Sequence, residues 1–148
     1  MSHWRDIARL MLAAMLFSYL VGCGPPKPPV GEVEINKLAT WFQYYRTEHR
    51  GKAPKNEEEL IAFIEKEYEI APEKTPDFEQ LLSSPRDGKR YIVMYGVKQK
   101  SRVDLEKNLA CYEAEGVDGK RLVSFESAWT EELDQAALDT ILEGYKKK

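Results

Sequence analysis

Two cysteines, Cys23 and Cys111, and two histidines, His3 and His49, are the side chains of this 148-residue chain best suited to nucleophilic or general-base work. A thiol nucleophile needs a base within hydrogen-bond reach and surroundings that lower its pKa. Cys111 stands between Ala110 and Tyr112 in a run that reads as strand, where cysteine is usually a small buried filler. His49 falls at a helix end, where imidazole complements the dipole. A Cys111–His49 pair is not expected. A serine nucleophile would have to recruit the same histidine, and no Gly-x-Ser-x-Gly elbow presents one. There is no Cys-x-x-Cys, no His-x-x-x-His, no Asp-rich calcium loop and no glycine loop to cradle phosphate. Glu57, Glu58 and Glu59 suit the positive pole of a helix, and Glu65, Glu67 and Glu69 its wet side. Nothing selects a carboxylate pair for hydrolysis. The expectation is no catalytic residue, no metal and no cofactor.

The N-terminus carries the strongest signal. His3 to Arg9 is short and weakly basic, and Leu10 to Val21 follows without a charge. Twelve uncharged residues fall short of the roughly 20 that cross a bilayer, but suit the apolar region of an export signal. The run ends in Leu20-Val21-Gly22-Cys23. This tetrad resembles the lipobox of bacterial lipoproteins: an aliphatic residue, two small or modest residues, then cysteine. The resemblance implies a signal peptide over 1–22, cleavage before Cys23, and lipid on the Cys23 thiol. A membrane then becomes a partner through that lipid. In lipoproteins that obey the retention rule, Gly24 in place of aspartate points to the outer membrane, facing the periplasm. With Cys23 acylated, Cys111 has no partner, so no intramolecular disulfide is expected.

Residues 23–31 hold Pro25, Pro26, Pro28 and Pro29, which favour an extended tether of about 3.1 Å per residue. One α+β domain is expected over 32–148. Ile35, Leu38, Ala39, Phe42 and Tyr45 form a helical stripe that stops at Arg50-Gly51. Trp41 and Tyr44 lie beside the stripe and widen its apolar face; strands are expected to cover it, and a protein-binding patch is the alternative. Asn56 and Glu59 suggest a capping box for a second helix through Leu60, Phe63, Ile64 and Tyr68. A third, short helix is expected from Thr75-Pro76 through Leu82. Ser84-Pro85-Arg86-Asp87-Gly88 reads as a turn. Strands are expected at 90–97, 109–114 and 122–125, the last two joined at Asp118-Gly119. Thr130 is read as the cap of a final helix through Tyr145. The whole predicts helices, three antiparallel strands and a helix in two layers.

The arrangement from Glu32 to Phe125 resembles the soluble part of type II secretion pseudopilins. Those proteins pack a helix across a small antiparallel sheet, and here Arg86-Asp87-Gly88 and Asp118-Gly119-Lys120-Arg121 sit at the matching turns. The chain departs from them in lacking the prepilin cleavage motif and the long continuous N-terminal helix that polymerises. Formal net charge is −3, and setting aside Arg5, Arg9 and Asp6 makes the remainder one unit more acidic. That balance argues against nucleic acid. The expected function is a non-enzymatic envelope lipoprotein that binds a protein partner; the alternative is a lipid-tethered hydrolase acting on envelope material.

Overall fold

The computed structural model describes residues 29–68, 76–101 and 103–146. The export-signal segment, the lipobox with Cys23, and Thr75 lie outside the described residues. Helices α1 (Glu32–Glu48), α2 (Glu57–Tyr68) and α3 (Phe78–Leu81) come first. Strands β1 (Ile92–Val93), β2 (Leu109–Tyr112), β3 (Lys120–Phe125) and β4 (Thr130–Asp134) follow, and α4 (Gln135–Lys146) closes the chain. The fold is α+β, with N-terminal helices, a small antiparallel sheet and a C-terminal helix. No helix among the described residues is long and apolar enough to cross a membrane.

The α1 stripe behaves as its spacing requires: Ile35, Leu38, Ala39 and Phe42 are fully buried. Asn56 Oδ1 accepts from the Glu59 N–H at 3.0 Å. Glu59 reaches back in turn, but to the Lys55 N–H, one residue beyond the expected box. α3 is capped by Asp77, whose Oδ1 accepts from the N–H groups of Glu79 and Gln80. Asp118 and Gly119 both have positive φ, 52° and 72°, as the tight two-residue hairpin turn demands.

Several expectations are corrected. The sheet has four strands, in the order β1-β2-β3-β4, rather than three. Thr130 does not cap the last helix; it pairs with Ser124 at the start of β4, and its hydroxyl reaches Asn36 and Ser124. Asp134 caps α4 instead, accepting from the Ala137 N–H at 2.8 Å. Glu131-Glu132-Leu133 has fair helix propensity, but pairing along β3 overrides it. The strand expected at 90–97 is regular only over Ile92–Val93, because the Gly96 N–H turns away to Pro54 O.

The sheet is also covered on both faces. Cys111 Sγ lies 3.8 Å from Ile35 O, so that residue faces α1. Its neighbour Tyr112 points the other way, within electrostatic reach of Asp139 on α4. Val123, the cross-strand partner of Tyr112, is fully buried on that second face. The result is helix, sheet, helix in three layers, where the sequence reading had two.

Two carboxylates tie the turn before β1 to the β2–β3 hairpin. Glu113, fully buried after β2, accepts from Ser84 Oγ at 2.6 Å and from the Leu122 N–H at 2.8 Å. Asp87, in the expected turn, accepts from the N–H groups of Lys89, Glu115 and Gly116. Burial pushes the Asp87 carboxyl up, but these amides and its own backbone N–H outweigh it and hold the group below its ordinary 3.8. A depressed folded-state pKa gives stability that is present above 3.8 and lost as pH falls through the folded value. Asp87→Ala should therefore cost about 1–3 kcal/mol near neutral pH, and the gap from wild type should shrink in acid. Urea unfolding of both proteins across that pH range measures it.

Candidate functional site

The last turns of α1 carry a charge into the interior. Arg46 lies four residues beyond Phe42 on the buried stripe, and only 2% of it is exposed. Its guanidinium sits over the Phe42 ring, 5.1 Å from the centroid. Nη1 donates to Gly51 O at 3.0 Å and Nη2 to Val97 O at 2.7 Å. Nε lies 2.7 Å from Glu126 Oε1, an ion pair held by charge rather than by an aligned hydrogen bond.

Glu126, fully buried just past β3, extends the network. Its Oε2 accepts from Gln99 Nε2 at 2.7 Å and from Asn108 Nδ2 at 3.2 Å. Asn108 Oδ1 accepts in turn from the N–H groups of Lys100 and Ser101. Burial is the leading effect on both ions. It lowers Arg46 against the attraction of Glu126, and raises Glu126 against Gln99, Arg46 and Asn108. The charges persist because nearly every polar atom around them is answered.

Arg46 and Gln99 of this network also line a groove. A hollow of about 690 Å³ is lined by Arg50, Lys52 and Lys55 from the α1–α2 connection, and by Lys98 and Lys100 from the segment after β1. A second hollow of about 320 Å³ shares Arg50, Gly51 and Gln99 with it and adds Gln43 and Leu105. A third, of about 270 Å³, continues past Lys98 and Lys100 to Tyr145. No carboxylate lines any of the three. Lys100 is engaged, 3.7 Å over the Tyr145 ring and donating to Ile141 O. Arg50, Lys52 and Lys98 are exposed and form no ion pair with a described residue. Gly51, at φ +85°, lets Gln99 Oε1 approach to 2.9 Å of where a Cβ would stand. The chemistry on offer is recognition of negative charge.

The residues weighed from sequence lie elsewhere. Cys111 is fully buried between β2 and α1, and burial pushes its thiol pKa up. His49 stacks on Tyr45 at α1's far end, about 21 Å along the axis from Ile35, the residue Cys111 touches. The two are not brought together. Trp41 and Tyr44 are covered by α2, not by strands: Trp41 packs on Phe63 and Tyr68, and Tyr44 on Phe63, its hydroxyl donating to Glu67 at 3.0 Å. Trp41 is half-buried and Tyr44 stays 37% exposed.

A shallower hollow beside them, about 400 Å³, includes Tyr45, His49 and Glu59. There the Tyr45 hydroxyl donates to Glu59 Oε1 at 2.7 Å. Burial and that bond push Tyr45 up to about 12, while the Lys55 amide and Tyr45 hold Glu59 low. At neutral pH this is a neutral donor on a fixed carboxylate, with neither group poised to move a proton. No group of metal-ligating residues occurs among the described residues.

No family model, curated protein or solved structure matches this chain.

Sequence reading missed Arg46, Gln99, Asn108 and Glu126. A signal existed for two of them. Arg46 falls four residues after Phe42 on the apolar stripe, and Glu126 directly follows the apolar run Leu122–Phe125. Arg46→Met or Glu126→Leu should each cost about 3–5 kcal/mol, because each strands a buried charge. The double variant should cost less than the two summed, by about 2 kcal/mol. A double-mutant cycle by denaturant unfolding gives this coupling.

Proposed function

We propose that this chain is a lipid-anchored protein of the cell envelope whose domain binds a protein partner without catalysing a reaction on it. The observation that carries the reading is Leu20-Val21-Gly22-Cys23 behind twelve uncharged residues. Lipid on Cys23 supplies the anchor. Each buried methylene contributes about 0.8 kcal/mol, so two or more acyl chains hold stably where one holds marginally. The proline-rich residues 24–31 act as a spacer of about 25 Å.

Two features support the reading from the side of the domain. The chain enters α1 at Gly31, which is buried against Arg86 and Leu122, so the tether meets a fixed point. The other thiol, Cys111, is sealed in the core, which leaves Cys23 as the reactive one. Gly24 after the cysteine favours the outer membrane, facing the periplasm. A pseudopilin-like order of helix and antiparallel strands suits an accessory domain shown to a neighbour, rather than a filament subunit.

Metabolic labelling with a fatty acid tests this. Wild type should take up label and fractionate with membranes, while Cys23→Ser should do neither. Unlabelled wild type, or label retained by Cys23→Ser, would sink the proposal.

A further inference from the structure

We infer that the basic groove at the C-terminal end of α1 binds an extended acidic polypeptide segment. The inference deepens the partner-binding reading above and rests on it only for the groove's place relative to the membrane.

Three observations select the occupant. The first is charge. Arg50, Lys52 and Lys98 are exposed without an ion-pair partner, in a lining that holds no carboxylate, on a chain of net charge −3. Such a local excess is complementary to a partner of opposite sign. The second is shape. The three hollows share Arg50, Gly51 and Gln99 at one junction, and Val97, Lys98 and Lys100 at the other, so they run on as one track. A track suits an extended chain better than a point anion. The third is lining. Ala53, Val97 and Leu105 give apolar surface between the cations, and Gln43 an amide. A peptide carrying both acidic and apolar side chains answers all of these; a phosphate headgroup answers only the cations.

Position argues against the protein's own membrane. The tether joins the N-terminus of α1, and the groove lies at the other end of this 17-residue helix, about 26 Å away. The groove is thus remote from the residue at which the tether joins the domain.

The test is fluorescence anisotropy of a fluorescein-labelled peptide of alternating glutamate and valine. It is titrated with full-length wild type and full-length Cys23→Ser in the same detergent. Both should bind, and moderate salt should weaken binding. Arg50→Glu/Lys52→Glu/Lys98→Glu should weaken it at least about tenfold, and the milder Lys52→Gln/Lys98→Gln about threefold. Lys37→Glu/Lys120→Glu/Lys146→Glu has the same net charge, with its changes outside the groove, and should stay within about twofold of wild type. Equal losses in the two triple variants would overturn the inference, as would tighter binding of polyphosphate or of phosphatidylglycerol vesicles. Binding by wild type but not by Cys23→Ser would overturn it too. Peptide binding by a wild type that takes up no fatty acid would uphold the groove while removing the anchor.

Discussion

One guanidinium holds together two loops that would otherwise repel. Arg46 reaches from α1 to Gly51 O on one side and Val97 O on the other, and these carbonyls belong to the two segments that carry Arg50, Lys52, Lys98 and Lys100. Bringing these cations to one groove costs Coulomb energy, which a rigid support must offset. Glu126 supplies the opposite charge beneath them, out of water, and Gln99 and Asn108 complete its shell. A buried ion pair of this kind adds little net stability over an apolar substitute. What it fixes is geometry, because each partner becomes costly to displace once the other is in place.

The opposite end of the domain uses the same device with a different purpose. Glu113 is as buried as Glu126, yet its oxygens go to Ser84 Oγ and the Leu122 amide, with Arg86 Nε 3.6 Å away. Arg86 extends outward to Glu132 on β4 and packs against Gly31, where the chain enters α1. This network locks the turn before β1 to the hairpin and to the entry point of α1. Between the two carboxylate networks lies the apolar body built from Ile35, Leu38, Phe42 and Leu122. Such a division fixes the end at which the chain enters α1 and sets the charged loops at the other.

Local signals were legible wherever local physics decides. The α1 stripe, the Asn56 cap and the Asp118-Gly119 turn each follow from a few neighbouring residues, and each stands as read. The fourth strand was hidden because Thr130-Glu131-Glu132-Leu133 is a plausible helix start until β3 is present to pair with it. The second covered face was hidden for the same reason, since α4 could be placed only after β4 was known. The groove was harder still. Its cations come from 50–55 and 98–100, stretches that share no local pattern, and the acidic total made a basic surface look improbable. Arg46 was hidden because a cation in the last turn of a helix is ordinarily explained by the dipole alone.

Hydrogen–deuterium exchange on Arg46→Met/Glu126→Leu beside wild type addresses the claim that one buried pair organises both loops. Amides across 49–55 and 96–101 should gain exchange together, while those of the hairpin at 117–120 stay as in wild type. Exchange that rises in only one loop, or in neither, would contradict the account and leave the basic groove without the foundation assigned to it.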